Sequence, residues 1–402
     1  MLSAIIGRVR AEALLGVIRP FVDAGVVPGA IVGVRHRGET TVEALGTTTP
    51  GGDVPLRMEA QVRISSNTKP IIAALALRLI EDGVLGLDDS VERFLPDLAE
   101  RRVLRRLDGP LDETAPAQRP IIVEDLLTMR LGFGWVFESE CPAVERAREL
   151  GLGFGPPDPP ALPPPEEWIA RFATLPLLEE PGGVWRYELA FAVLGVLAAR
   201  AAGVPLDVLL TDHLLTPLGM AETAFVADRA HLVPAFARHE NDLVPFDGVA
   251  DTRWASRPGF LDGRGGLVST ARDLLRFAGM LLDQGGGVLT PASVVAMTTD
   301  QLTPEQRAGP SASTFLDSGG WGYGVGVTRS PAGRRYGWGG GLGTLWYSWP
   351  DHDLAAVLIT QVLPPSAPMF NAFTGALEGG LQGGGSAAGR APAAGRGSAS
   401  CE

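Results

Sequence analysis

Apolar and polar positions follow a helical rhythm over residues 3–24, which predicts an amphipathic surface helix. The pattern then changes. "GAIVGVRHRGE" and "TTVEALG" read as two strands joined by a tight turn at Arg37-Gly38. A second helix is expected from the run "IIAALALRLIED", with Pro70 in its first turn and Gly83 as its stop. From there to about residue 220 the chain reads as mainly helix and loop. This region holds "IIVEDLLTMRLGFG" and the proline-rich "FGPPDPPALPPPEEW", where no regular helix or central strand is expected. "LDGRGGLVSTARDLLRFAGMLL", from about residue 262, is a glycine turn leading to a helix with Ser269 or Thr270 near its cap. The last third is β: "WGYGVGVTR", "RRYGWGGGLGTLWYSWP" and "LAAVLITQ" carry aromatic and β-branched runs between turns. "APMFNAFTGAL" would close the fold as a helix.

Strands near both ends with a helical block between them predict an α+β fold. One antiparallel sheet would be assembled from the two termini and flanked by helices, with a mainly helical region beside it. The expected organisation is one domain over 1–378. Its sheet part would cover about 1–62 and 262–378, and its helical part about 66–261. The Gly/Ala/Ser-rich tail, 379–402, is expected to be disordered. The cleft between the two parts is the place to look for chemistry.

Composition narrows the function. The 402 residues are 45% hydrophobic and 20% charged, as in a soluble globular protein. A net charge of −12 argues against nucleic acid and against an anionic membrane surface as partners. The longest apolar candidate, "LAFAVLGVLAA", ends at Arg200 after 11 residues, too short for a membrane span. Arg8, Arg10 and Glu12 interrupt the apolar N-terminus, which does not suit a signal peptide, and the two cysteines make no disulfide framework. A cytoplasmic location is expected. The five histidines form no metal-ligand cluster, and His352 in "PDHDL" reads as a turn residue; neither metal nor cofactor is expected. G-x-S-x-G does not occur, which argues against a nucleophile elbow.

One cation stands apart. Of the 34 Lys and Arg residues, 33 are Arg, and the single lysine, Lys69, falls in "RISSNTKPIIAAL". Arg cannot release its proton in a protein, whereas a buried Lys can. Composition bias would also leave a lone lysine, so the neighbours decide. Ser66 lies three residues upstream, as in the S-x-x-K nucleophile motif. If a helix opens here, the two side chains share a face, and the amine can draw the proton from an otherwise weak nucleophile.

Acyl transfer also needs a proton shuttle and donors for the oxyanion. Tyr187, at the junction between a glycine turn and an apolar helix in "PGGVWRYELAFAVLG", reads either as a capping core aromatic or as that shuttle. Gly339 to Gly341, in "GWGGGLGTLW", mark either a bulge or the close approach of a ligand to bare backbone.

Taken in order and spacing, "RISSNTKP", "PGGVWRYELAFAVLG", "LLTPLGMAETAF", "GGLVSTARDLLRF" and "YGWGGGLGT" resemble the serine β-lactamase and penicillin-recognising hydrolases. The resemblance is to the branch of class C β-lactamases, D-peptidases and related esterases, and it spans about residues 20–375. It implies Ser66 as nucleophile, Lys69 and Tyr187 as the proton-handling pair, and the N–H groups of Ser66 and Gly341 as the oxyanion hole.

Two departures bear on substrate. Leu189 stands where lactamase members carry an Asn two residues after the tyrosine. Trp338-Gly339-Gly340 stands where they carry Lys-Thr-Gly or His-Thr-Gly. Loss of an amide and of a cation removes partners for a peptide amide and a carboxylate, so Leu189, Trp338, Gly339 and Gly340 are expected to bind neutral or apolar acyl groups. Trp338 also resembles the esterase branch. A small-molecule ester is the expected substrate. Lactam or D-amino-acid amide cleavage is the alternative within enzymes, and a catalytically silent acyl-binding scaffold the alternative outside them.

Overall fold

The computed structural model describes the backbone of residues 2–240, 242–316 and 319–385. Its centre is a seven-stranded antiparallel sheet in the order β2-β1-β13-β12-β11-β10-β9. Strands β1 (Gly29–His36) and β2 (Glu39–Gly46) form the expected hairpin, and Arg37 and Gly38 both take positive φ to close it. The C-terminal strands β9 (Gly320–Trp321), β10 (Gly326–Ser330), β11 (Gly333–Gly340), β12 (Thr344–Trp349) and β13 (Leu354–Ile359) form a meander. The sheet closes where β13 pairs with β1, Ile31 opposite Ile359 and His36 opposite Leu354.

Both faces of the sheet are covered, which explains why β1 and β13 are buried along their whole length. Ile31, Val357 and Ile359 face the main core, which continues through the helical region. Ala30, Val32, Val34, Ala356 and Leu358 face a second core. Helix α1 (Leu2–Asp23) and the closing helix Ala367–Gly385 cover that second face. On the first face the helix Ala271–Leu282 lies so near that a Cβ on Gly33 would come within 2.7 Å of Leu275. Thr270 caps this helix, its Oγ1 accepting from the Asp273 amide.

Beside the sheet lies the helical region, entered through the short strand β3 (Val62–Arg63) and helix α2 (Thr68–Glu81). Helix α2 buries 11 of its residues and packs against the still more apolar helix Ala190–Ala202.

Three boundaries differ from the sequence expectation. The closing helix runs to Gly385, past residue 378, because Leu377 and Leu381 continue the stripe that Phe373 presses into the second core. The rest of the expected tail, 386–402, lies outside the described residues. The region 66–261 is not only helical. It contains the two-stranded pair β4 (Arg102–Leu104) and β5 (Thr114–Pro116), and the hairpin β6 (Ala235–His239) and β7 (Asp242–Asp247). This hairpin joins β14 (Val362–Leu363), while β8 (Val268–Ser269) pairs with β3; both pairings are far apart in sequence. The proline-rich stretch does give a helix, Pro165–Ala173, because a proline at the first helical position gives up an N–H that has no partner there anyway. Among the described residues, no single helix is long and apolar enough to cross a membrane.

Candidate active site

Ser66 sits in a 3₁₀ turn, Ser65–Asn67, that runs directly into α2. Ser65 takes φ of +50°, a left-handed conformation that β-carbon residues seldom adopt. The turn is held against the sheet. Asn67 Nδ2 donates to Thr344 Oγ1 at 3.0 Å, and that hydroxyl donates to the Ile64 carbonyl at 2.9 Å. The glycines of β11 are needed for this contact. A Cβ on Gly340 would lie 2.4 Å from the Ile64 oxygen and 3.2 Å from Ser65 Cβ. So the glycine run marks a close approach, and at Gly340 what approaches is the backbone of the serine turn.

Lys69 is fully buried one helical turn on. Its Nζ donates to Ser66 Oγ at 3.0 Å and to the Arg264 carbonyl at 2.8 Å, and it lies 4.7 Å from the centre of the Tyr187 ring. Burial pushes its ammonium down to about 8; Glu188 and Asp262 pull it up, and Arg264 pushes it down further. Arg264 is itself clamped by Asp262, through Nε to Oδ1 at 2.9 Å and Nη2 to Oδ2 at 2.8 Å, which fixes the carbonyl that holds the lysine.

Tyr187 precedes the helix Ala190–Ala202. Trp338 Nε1 donates to its Oη at 2.8 Å. Burial raises its phenol well above the usual range, hydrogen bonds from Ser66 and Trp338 oppose that rise, and Glu188 adds to it. The ring is stacked on Phe315 at 4.3 Å and tilted against Trp338 at 5.6 Å. Thus Ser66, Lys69 and Tyr187 converge from two distant segments of the chain.

Ser66 and Tyr187 open on a cleft of about 560 Å³, with Lys69 buried behind them. Trp338, Gly339, Gly340 and Gly341 line the cleft, and Gly341 approaches the serine turn, a Cβ there lying 3.8 Å from Ser65 Oγ. Gly155, Pro156 and Pro157 bring the proline-rich stretch to its rim. Leu189 departs from the expectation. It is wholly buried in the main core and does not line the cleft. Its neighbour Glu188 does, at a φ of +112°, a strained backbone costing on the order of 1–3 kcal/mol.

Glu188, Arg264 and Asn67 are the site residues that sequence reasoning passed over. Glu188 was legible only as the one acid between Tyr187 and an apolar run. Its neighbour Arg186 offered an obvious partner, but Arg186 pairs instead with Glu138 and Glu179. No signal in the chain points to the Arg264 carbonyl. Among the described residues, no group of three His, Cys, Asp or Glu side chains is placed to hold a metal.

A model of the Beta-lactamase family matches residues 15–380. Protein Rv1367c of Mycobacterium tuberculosis is 35% identical over 366 residues, covering 86% of this chain and 89% of its own length. Esterase EstB of Burkholderia gladioli is 30% identical over 362 residues, covering 83% of this chain and 86% of its own. Among solved structures, EstCE1, described as a hydrolase with promiscuous acyltransferase activity, matches with a TM-score of 0.77 at 25% identity, over 93% of this chain and 100% of its own. With the sheet, the serine turn and the match along nearly the whole described chain in agreement, the chain belongs to the β-lactamase family, among its esterase-like members, and is a serine hydrolase.

Proposed function

We propose that the protein cleaves carboxylic esters through an acyl intermediate on Ser66. The observation that carries this reading is the contact of Lys69 Nζ with Ser66 Oγ at 3.0 Å beneath the Tyr187 ring. Ser66 Oγ attacks the ester carbonyl carbon while its proton passes to the neutral amine of Lys69. The N–H groups of Ser66 and Gly341 receive the developing oxyanion. Tyr187, held neutral by burial, gives its phenolic proton to the departing alkoxide and is reprotonated from Lys69. Water then attacks the acyl carbon, the same pair takes its proton, and Ser66 leaves with that proton restored.

The ester preference is supported by the cleft. Trp338 stands where a lysine would hold a substrate carboxylate, and its indole N–H is already committed to Tyr187. Esterase EstB, a relative by sequence, is named for the same chemistry.

Intact mass after a fluorophosphonate probe, on wild type, Ser66→Ala and Lys69→Arg, tests the mechanism. Labelling of wild type alone is expected. Equal labelling of Lys69→Arg would end the argument for a proton-releasing lysine, and no labelling at all would favour a silent scaffold. The ratio of kcat/KM on a p-nitrophenyl ester to that on a β-lactam tests the substrate class, and a lactam preference would overturn it.

A further inference from the structure

Glu188 presents a carboxylate to the cleft beside the serine, and the catalytic steps above do not use it. Among the described residues it is the sole charged side chain lining the cleft. One of its oxygens, Oε2, accepts from Trp135 Nε1 at 2.6 Å, which fixes the group in place; Oε1 accepts no hydrogen bond from the described residues. Lys69 and Arg264 feel the charge of Glu188, but among the described residues no nearby cation hydrogen-bonds to it. Lys69 is held by Ser66 and the Arg264 carbonyl, Arg264 by Asp262, Arg186 by Glu138 and Glu179, and Arg148 by Glu145.

Around this carboxylate the wall is aromatic. Trp135 stacks on Phe137 with rings 5.9 Å apart, Phe137 leans on Phe315 at 5.8 Å, and Phe315 stacks on Tyr187. The rest of the lining is also mostly apolar, with Leu342, Leu345, Leu363 and Pro365 beside Tyr347 and Phe370. A carboxylate set among π-faces, in a cleft without a lining cation, is complementary to an organic ammonium. It repels a carboxylate or phosphate. The strained backbone of Glu188 agrees with a residue placed for its side chain.

We propose that the Glu188 end of the cleft binds an ammonium group of the substrate, so that the favoured esters are cationic ones, those of amino alcohols or amino acids. The inference rests on the ester-cleaving reading above. The test compares acetylthiocholine with its uncharged carbon isostere, 3,3-dimethylbutyl thioacetate, in wild type and in Glu188→Gln. Wild type should favour the cation in kcat/KM by about tenfold or more, and the ratio should fall toward one in the variant. A wild-type ratio near or below one overturns the inference while leaving the esterase reading intact. A ratio that survives Glu188→Gln overturns the assignment to this residue.

If neither thioester is turned over, the esterase reading is what fails. Tetramethylammonium protection of Ser66 from fluorophosphonate labelling then decides the inference, because labelling needs no turnover. Protection in wild type at concentrations where neopentyl alcohol gives none supports it, and equal labelling with and without the ammonium overturns it. The same protection assay decides the matter if Glu188→Gln fails to fold.

Discussion

Lys69 has no solvent contact, yet its ammonium has two acceptors and a ring face, so burial depresses its proton affinity without leaving it unpaired. With its proton held to about 8, the amine is mostly charged at neutral pH and mostly free only above about 8. On the proposed mechanism kcat/KM should therefore rise with pH and level off above about 8. Glu188 stabilises the charged amine, so Glu188→Gln should move that limb toward lower pH. A pH profile flat from 6 to 9 in wild type would contradict Lys69 as the base. Tyr187→Phe keeps the ring over the amine but deletes the proton donor, and kcat should drop by about 10²–10⁴-fold. At this scale the chain was readable where chemistry restricts residue type: a lysine among arginines. It was not readable where a backbone carbonyl does the work, as at Arg264, because any residue supplies one.

At the scale of elements, β11 and the serine turn form one unit, and the three glycines of β11 and its turn are not equivalent. Gly340 has no room for a methyl group, with Thr344 Oγ1 and the Ile64 oxygen 2.2 and 2.4 Å from a Cβ. Gly339 has 3.8 Å to its nearest neighbours, an ordinary contact. Gly340→Ala should push the strand off the turn, lowering ester turnover at least tenfold together with the melting temperature. Gly339→Ala should keep its stability within about 0.5 kcal/mol, as surface-like substitutions do. Loss of activity with unaltered melting in Gly340→Ala would mean that the glycine serves a ligand and not the packing. The sequence shows glycines where backbones meet but not which backbone, since that partner is some 275 residues away. The same limit explains Leu189. The last residues before a helix turn sharply, Glu188 at a φ of +112° carries the chain around, and the side chain facing the cleft becomes the one before the position expected from the motif.

At the scale of the whole molecule, strand-like runs near both termini were enough to foretell one sheet assembled from the two ends; the structure adds that β13 lies beside β1 at its centre, where both strands are buried on both faces. The small sheet of β6, β7 and β14 was not foreseeable, since the pairing of β14 with β6 joins residues more than a hundred positions apart. It is nonetheless what anchors the strand before the serine. Arg63 of β3, wholly buried, donates through Nε to Asp247 Oδ2 of β7 at 2.7 Å, and Gln361, just past β13, accepts from the Arg63 amide at 2.9 Å and donates to its carbonyl at 3.0 Å. Burial works to raise the Asp247 carboxyl, but the Arg253 amide, Arg63 and Thr252 outweigh it and hold the group below its usual value. A carboxylate depressed on folding adds stability that is complete above its unfolded value of about 3.9 and is lost as pH falls through the lower folded value. Asp247→Ala, which strands a buried guanidinium, should therefore lower stability by about 3–5 kcal/mol at pH 7. Its urea midpoint should also fall less steeply than that of wild type between pH 5 and pH 2. Parallel acid limbs in the two proteins would show that Arg63 finds its counter-charge elsewhere. Ester turnover in the variant, measured below its melting temperature, then reports whether the small sheet merely holds the molecule together or also sets the pitch of the turn that carries Ser66.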